Sequence, residues 1–221
     1  MSALGQNRGM DDLFAALAPG LRRLKDDGQL TPEPAEPDGL RTFSSFLVMD
    51  LEMSGPNVQQ HEVLDVGGVR ADIAPGIPEL EAWGARVRPK HIGNAVPGAL
   101  KVVGYSAKAW KDAIDLDVAM DRFAELGRES VVAGWGIGQD MAFLVESFRR
   151  TGRPWPFALV ALDVQPIARK LLKGTGDVDR FNLGHVADRL GIGRMGEHGA
   201  LADAYATYDV LVKLLERAQN A

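Results

Sequence analysis

The chain has 221 residues, of which 46% are hydrophobic and 25% are charged, and these are ordinary values for a globular protein. Its 30 acidic and 25 basic side chains give a net charge of −5, which argues against a protein that coats long nucleic acid. It has no cysteine, so disulfides and thiolate metal sites are excluded, and any bound metal needs oxygen or imidazole ligands, as Mg²⁺ and Mn²⁺ do.

Residues 1–42 differ in composition from the rest of the chain. They end in "LTPEPAEPDGL", in which prolines and acids alternate, and we interpret them as an N-terminal extension and a linker. Before the linker, Leu13, Phe14, Leu17, Leu21 and Leu24 fall near helical spacing, although Pro19-Gly20 interrupts the pattern. A docking helix and a tail that lies on its own domain are both open. The start "MSALGQNRGMDD" lacks the order of a secretory signal and no apolar run could span a bilayer, so we expect a cytoplasmic protein without a membrane partner.

From residue 43 to residue 221 the pattern is that of one domain with alternating strands and helices. The segments "FLVMDLEMS", "EVLDVGGVRADI" and "EAWGARVRP" predict three consecutive strands, which suggests a meander. A helix with Val118, Phe123 and Leu126 on its apolar side follows, then a short strand in "SVVAGWG" and a helix that starts near Gln139.

The last part of the chain alternates in the same way. "FALVALDV" predicts a fifth strand, and helices are predicted in "QPIARKLLKG", "NLGHVADRLGI" and "ALADAYATYDVLVKLLERAQ". The final helix carries one apolar stripe that belongs to the core. We therefore predict an α/β fold, a mixed five-stranded sheet with helices on both faces, and ligands of such sheets bind near the carboxyl ends of the strands.

Two carboxylates interrupt the first of these strands. Asp50 and Glu52 in "FLVMDLEMSG" are two residues apart, so both point to the same side of the sheet. Two desolvated charges of like sign are tolerated mainly when a cation compensates them. A bound metal ion or a strand end that emerges into water would each explain the pair, and further acids must decide.

Further candidates lie at the starts of two helices. Asp140 follows a strand and a glycine-rich turn, and Asp203 lies near the start of the last helix, where the helix dipole favours an ionised carboxylate. His198 precedes Asp203 by five residues in a loop with several glycines, which could bring the imidazole to a substrate. Each of these residues alone is equally consistent with an ordinary helix start or a surface histidine.

Taken together, these motifs resemble a known family. A D-x-E on the first strand, a middle Asp after a strand and turn, and H-x-x-x-x-D before the last helix are similar to the DEDDh group of 3′-to-5′ exonucleases. That group includes oligoribonuclease, RNase T and the proofreading exonucleases of DNA polymerases. The resemblance runs from about Phe46 to Leu215. "DLEMSG" looks most like oligoribonuclease, and "HGALADAYAT" looks more like the RNase T and proofreading branch.

The resemblance implies an RNase H-like fold and an exonuclease domain at residues 43–221. Two divalent ions, Mg²⁺ or Mn²⁺, would be held by four carboxylates. Asp50 would bridge both ions, Glu52 and Asp203 would complete the first site, and Asp140 would support the second. His198 would be the general base. Met53 and Ser54 occupy positions at which the family often holds the terminal nucleotide.

The same resemblance implies a function and partners. We expect hydrolysis of phosphodiesters from the 3′ end of short or single-stranded RNA or DNA, with release of 5′-mononucleotides. Several related enzymes are dimers, so a homodimer is the implied assembly. The chain departs from the family at Trp135-Gly136 and at Gln139, where members commonly carry His-Asn and an aromatic residue.

Two other functions remain open at this stage. A nucleic-acid-binding module of the same fold could have weak catalysis or none, because function belongs to the site and not to the fold. A nucleotide-cofactor enzyme is suggested by "GWGIG" and by Asp163 at the end of the next strand, although the G-x-G-x-x-G pattern needs glycine or alanine where the chain has Gln139. His61 is predicted to be solvated. The basic run Arg149, Arg150 and Arg153 forms either a contact with substrate phosphates or a charge cluster at a helix end.

Overall fold

The structure is a computed structural model that describes residues 11–13, 15–32, 42–173, 180–193 and 199–219. Within these residues one sheet of seven strands forms the centre of the molecule. The strands are β1 (Leu21–Leu24), β2 (Leu30–Pro32), β3 (Ser45–Met53), β4 (Val63–Asp72), β5 (Glu79–Arg86), β6 (Val131–Gly134) and β7 (Val160–Asp163). Their order across the sheet is β2-β1-β7-β6-β3-β4-β5.

The pairing of the strands confirms the predicted mixed sheet. Strands β3, β4 and β5 form the antiparallel meander, and β3, β6 and β7 run parallel. The carboxyl ends of these three parallel strands therefore meet at one edge of the sheet, which we call the carboxyl edge. The acidic strand ends at Glu52 and Asp163 both lie there.

Helices cover both faces of the sheet, as predicted. They are α1 (Pro97–Val103), α2 (Leu116–Leu126), α3 (Gly138–Thr151), α4 (Val164–Leu172), α5 (Leu183–Arg189) and α6 (Ala200–Gln219). Helices α4, α5 and α6 pack on the first face, and α2 and α3 pack on the second. Among the described residues, no helix is both long and apolar enough to cross a bilayer.

Strand β3 shows how the sequence assigns its side chains to the two faces. Phe46 and Val48 belong to the core of the first face, whereas Leu47, Met49 and Leu51 belong to that of the second. Even-numbered side chains of β3 consequently point towards α6, and the run remains almost wholly apolar because both faces are covered. Asp50 and Glu52 are even-numbered and continue the first face beyond its apolar part.

The prediction of five strands is wrong in number, because the N-terminal extension adds β1 and the first three residues of the predicted linker, Leu30–Pro32, add β2. Strand β1 pairs antiparallel with β7, and β2 pairs with β1. The helical interpretation of Leu21 and Leu24 is also wrong. In the strand these two side chains reach opposite faces of the sheet, Leu21 the first and Leu24 the second, where a helix would keep them on one side.

A short 3₁₀ turn causes this change. Residues 11–13 and 15–17 are helical, and Ala18–Gly20 forms one 3₁₀ turn before the chain extends. A Cβ on Gly20 would lie 2.4 Å from the carbonyl oxygen of Asp163, so only glycine allows this approach to β7. Leu13 and Leu17 are buried in the first-face core, while Phe14 lies outside the described residues. The domain boundary at residue 42 stays a prediction.

One core prediction in α2 is wrong as well. Val118 is 49% exposed, and Ala119 and Met120 are buried in its place. Phe123 and Leu126 are buried as predicted. The helix starts at Leu116, and its buried face runs through Ala119, Met120, Phe123 and Leu126 and leaves Val118 at its margin.

Candidate active site at the carboxyl edge

Strand β3 brings Asp50 and Glu52 to the carboxyl edge on the first face of the sheet. On the neighbouring strand, Gly67 lies opposite Asp50 and Asp65 lies opposite Glu52. A register shift between Glu52 and Met53 ends the regular ladder there. The predicted convergence of the two carboxylates on one side is thus what the alternation of the strand produces.

Two glycines allow the start of α6 to lie directly on the sheet. Gly67 of β4 pairs with Gly84 of β5, next to Asp50. A Cβ on Gly67 would lie 2.2 Å from the backbone nitrogen of Leu201, and one on Gly84 would lie 2.9 Å from the Leu201 Cβ. The first turn of α6 therefore occupies space that side chains would otherwise fill, and this close approach brings Asp203 to the acidic strand end.

Asp50, Glu52 and Asp203 form one cluster. Each offers a carboxylate oxygen, and these oxygens lie within 4.8 Å of one another. Asp203 belongs to the first turn of α6, where its backbone N–H donates to the carbonyl of Gly199. Residues that are distant in the sequence are thus brought together, as the motif predicted.

Asp140 joins this cluster from the second side of β3. It lies in the first turn of α3, and its Oδ1 accepts a hydrogen bond from the backbone N–H of Leu51 at 3.1 Å. That bond holds the Asp140 carboxylate against the backbone of Leu51, the residue between Asp50 and Glu52. Asp140 is the strongest of the charges that disfavour ionisation of Asp50.

Burial and mutual repulsion perturb these carboxylates. Burial, followed by the charges of Asp140, Glu52 and Asp203, raises the pKa of Asp50 well above its usual value. Burial, followed by the neighbouring carboxylates, raises the pKa of Glu52 to about 7. Burial likewise raises the pKa of Asp140 to about 6, although the bond from Leu51 opposes the shift. Such a group of acids is stable in ionised form only when a cation is close.

Two further carboxylates, which the sequence analysis did not assign to the site, hold its helices in place. Asp65 accepts the backbone N–H of Ala200, the first residue of α6, at 3.3 Å. Asp163 accepts the backbone N–H of Gly136 at 2.9 Å, in the turn before α3, and also that of Gln165 in α4. Burial raises the pKa of both carboxyls. The pairing of Asp65 with Glu52 would have indicated that Asp65 belongs to the site, but recognising that pairing requires the register between β3 and β4.

The position of Asp163 bears on the nucleotide-cofactor interpretation. Its carboxylate is already bonded to two backbone N–H groups, one in the "GWGIG" turn and one in α4. It caps α4 and shapes the turn that leads to Asp140, and these bonds account for an acid at this strand end.

Met53 and Ser54 lie where β3 leaves the sheet. Ser54 is buried, and its hydroxyl accepts the backbone N–H of Glu62 at 2.9 Å. Its backbone N–H donates to the carbonyl of Glu62, and its carbonyl accepts the N–H of Val96. Met53 packs against the second-face core. Ser54 thus organises the backbone beside the carboxylates, and contact of either residue with a nucleotide stays a prediction.

The loop after Ser54 is closed by His61, and the prediction of a solvated histidine is wrong. His61 is 6% exposed, and its Nδ1 accepts the backbone N–H of Asn57 at 2.8 Å. Its ring lies against Gly55, where a Cβ would come within 2.6 Å of it. This packing holds the loop in one shape at the margin of the carboxyl edge.

The basic run at the end of α3 is a structural charge cluster. Arg150 donates to the carbonyls of Val58 and His61 and pairs with Glu146, which Arg149 also contacts. Arg153 pairs with Asp121 of α2 through a 2.6 Å bond. Arg150 therefore ties the loop after Ser54 to the helix that carries Asp140.

His198, the predicted general base, lies outside the described residues. Its neighbour Gly199 lies beside Asp65, whose Oδ2 would be 3.4 Å from a Cβ at that position. At the departures from the family pattern, Trp135 is partly buried, whereas Gly136 and Gln139 are exposed.

The donor set suits a hard divalent cation. Carboxylate oxygens are the ligands that Mg²⁺ and Mn²⁺ prefer, and Asp50, Glu52 and Asp203 offer them within reach of one another. A bound cation would also compensate the repulsion that raises the pKa of Asp50 and Glu52. The residues present fit a metal site.

Comparison with known proteins agrees with this geometry. The model of the family RNase_T, described as "Exonuclease", matches residues 47–211. DNA polymerase III subunit epsilon of Aquifex aeolicus is 27% identical over 78% of this chain and 81% of its own length. A PolC-type DNA polymerase III of Caldanaerobacter subterraneus is 23% identical over 79% of this chain, but the match covers only 12% of that polymerase.

Solved structures show the same fold. Escherichia coli exonuclease I in complex with a dT13 oligonucleotide superposes with a TM-score of 0.68 at 21% identity, over 80% of this chain and 42% of that one. The predicted RNase H-like fold is thereby confirmed. The resemblance to 3′-to-5′ exonucleases is confirmed by the family match, which covers most of the chain. The chain belongs to the exonuclease family of RNase T and is by that membership a 3′-to-5′ exonuclease.

Proposed function

We propose that this exonuclease is metal-dependent and removes nucleotides one at a time from the 3′ end of short or single-stranded nucleic acid, with release of 5′-mononucleotides. The observation that carries the proposal is the convergence of Asp50, Glu52 and Asp203 within 4.8 Å at the carboxyl edge. Asp140 joins them through its bond to Leu51.

Each residue has a proposed role. Asp50 would bridge two divalent ions, Glu52 and Asp203 would complete the first site, and Asp140 would support the second. When bound, such ions supply Lewis-acid chemistry for in-line displacement at a phosphodiester. His198 would take the proton from the attacking water, because an imidazole with a usual pKa of about 6.5 can accept a proton near neutral pH. Met53 and Ser54 would contact the terminal nucleotide.

The proposal extends to partners and place of action. The oligonucleotide in the exonuclease I complex supports a single strand as the substrate. RNA and DNA both remain candidates, because discrimination can depend on one contact to a 2′-hydroxyl. We also propose that the protein acts in the cytoplasm, and the homodimer stays a prediction that follows from the family.

The test uses 5′-labelled RNA and DNA oligomers with Mg²⁺, Mn²⁺ or EDTA. The wild type should shorten the oligomers from the 3′ end, and both EDTA and Asp203→Ala should abolish the ladder. Asp209→Ala is the matched control, because it removes an acid from the same helix six residues further on, outside the cluster. Equal activity of Asp203→Ala and Asp209→Ala would refute the assignment. Tight strand binding without any nucleotide release would support the catalytically weak binding module.

A further inference from the structure

The charge of the chain is unevenly distributed along its sequence. Between Glu81 and Asp112 there is no acidic residue, yet this segment contains six of the 25 lysines and arginines. They are Arg86, Arg88, Lys90, Lys101, Lys108 and Lys111. The rest of the chain is therefore far more acidic than the net charge of −5 indicates, and this segment stands out as locally basic.

Most of this segment forms a separate small unit, residues 87–114, which we call the basic lobe. A bridge between Val87 and Ile114 closes its base. The lobe has its own core around Trp110, whose Nε1 donates to the carbonyl of Leu64 in β4 at 3.0 Å. The lobe is consequently fixed to the strand that also carries Asp65.

The cations near the base of the lobe have structural partners. Arg86 donates to the carbonyl of Ala109, and its guanidinium lies 4.6 Å from the centre of the Trp110 ring. Arg88 pairs with Asp115 at 2.8 Å and also donates to the carbonyl of Ala113. These two arginines hold the lobe to β5 and to the segment before α2.

Three lysines of the lobe differ from these arginines in their contacts. Lys90, Lys101 and Lys108 are all exposed, and none forms an ion pair with any residue that the structure describes. Their ammonium groups therefore remain available for an anion from solution. Lysine is suited to phosphate as a mobile point charge, without the fixed geometry that arginine imposes.

The lobe adjoins the proposed active site. The backbone N–H of Val96 donates to the carbonyl of Ser54 at 2.8 Å, immediately beyond β3. The carboxylate of Glu62 accepts the backbone N–H groups of Lys90 and His91. A strand whose 3′ end reaches Asp50 and Glu52 therefore meets positive charge beside a cluster that would otherwise repel its phosphates.

We propose that the basic lobe binds the phosphate backbone of a single-stranded nucleic acid through Lys90, Lys101 and Lys108. This inference rests on the proposed function, since it assumes that a 3′ end occupies the carboxyl edge. Three mobile cations bind phosphates without reading bases, so the binding has no sequence preference. So few contacts suit one strand near its end better than a long duplex, which agrees with the acidity of the remaining surface.

The test measures binding and turnover of the triple variant Lys90→Gln, Lys101→Gln, Lys108→Gln. The control variant is Lys25→Gln, Arg128→Gln, Lys170→Gln, which removes the same charge from exposed positions away from the carboxyl edge. Fluorescence anisotropy of a 5′-labelled single strand in EDTA gives the affinity between about 50 and 200 mM salt. Steady-state kinetics with Mn²⁺ gives KM and kcat for the same strand.

The affinity should depend less steeply on salt in the lobe variant. We expect the slope of log binding constant against log salt concentration to fall in magnitude by about 2, because each of the three lost phosphate contacts on a single strand contributes about 0.7. Its KM should rise on the order of tenfold, with kcat unchanged and the control variant like the wild type. Equal salt slopes for the two variants would overturn the proposal, and so would tighter binding of a duplex of the same length. If the wild type releases no nucleotide, the proposed function fails, but the anisotropy measurement still decides about the lobe.

Discussion

Replacing Gly67 with alanine tests how the site is assembled, because it leaves the side chain of every proposed ligand chemically unchanged. The new methyl group would lie 2.2 Å from the nitrogen of Leu201 and 2.3 Å from the Ala200 carbonyl carbon, both backbone atoms of α6. Ordinary contacts of a Cβ begin at 3.4 Å. The start of α6 must therefore move away from the sheet by about 1 Å, and Asp203 moves with it.

The neighbouring Gly68 provides a matched control on the opposite face of the same strand. A Cβ there would meet the ends of the Leu47 and Phe123 side chains at 2.9 Å, and these can turn aside. Both substitutions remove the same glycine flexibility from β4, so their effects on the unfolded chain cancel in the comparison. Each should cost about 1–3 kcal/mol of stability through overpacking.

Activity should separate the two variants where stability does not. A displacement of 1 Å in a catalytic arrangement can cost about 100-fold in rate, so Gly67→Ala should lower kcat by roughly that factor. It should also weaken Mn²⁺ binding to the protein alone, as measured by electron paramagnetic resonance of free Mn²⁺. Gly68→Ala should retain both properties within about twofold once corrected for the folded fraction. Equal loss of Mn²⁺ affinity in the two variants would refute the role of this close approach.

Three further predictions follow from the contacts of the site. In EDTA, the free energy of unfolding should fall as the pH rises from 4.5 to about 7. In this range Glu52 is ionised in the unfolded chain but still protonated in the folded one, because its folded pKa is raised. In Glu52→Gln the fall should be shallower. Calorimetry that shows parallel pH profiles would contradict this. Asp65→Asn leaves one oxygen to accept the backbone N–H groups of Val66 and Ala200, so the affinity for Mn²⁺ should fall about tenfold. The control Asp72→Asn, at the other end of β4, should have no effect. Equal Mn²⁺ titrations of the two variants would exclude a positioning role for Asp65. Arg150→Met should lower Tm and raise KM by more than Arg149→Met does, because Arg150 also donates to the carbonyls of Val58 and His61, whereas Arg149 contacts only Glu146. If the melting curves and kinetics of the two variants coincide, the bonds from Arg150 to this loop do not matter.

The carboxylates of β3 could be predicted because strand alternation is a local property. Asp50 and Glu52 share a face whatever the rest of the chain does. The spacing of Asp140 and Asp203 relative to strands and helix starts added the remaining acids, since the carboxyl ends of parallel strands meet at one edge. The order of these elements was enough to predict that the acids share one edge of the sheet, where the oxygens of Asp50, Glu52 and Asp203 lie within 4.8 Å of one another.

Other features depend on contacts between distant segments, and the sequence does not show them. Asp65 becomes part of the site through its register opposite Glu52, and Gly67 through the approach of α6. Leu21 and Leu24 match helical spacing, but the 3₁₀ turn and the free side of β7 make them a strand. The partners of Gly67 and of Leu21 lie more than 100 residues away, and the pairing of Asp65 with Glu52 depends on a strand register that local patterns do not fix.

The pairing of β1 with β7 has a practical consequence for shortened forms of this protein. A form that begins near residue 43 would leave β7 paired only with β6, with a free backbone edge on its other side, and would uncover the apolar surface on which Leu13, Leu17 and Leu21 pack. Unpaired strands with apolar flanks recruit strands from other molecules and lead to aggregation. The described residues between 11 and 32 therefore cover this side of the sheet, and a shortened form should begin before residue 11.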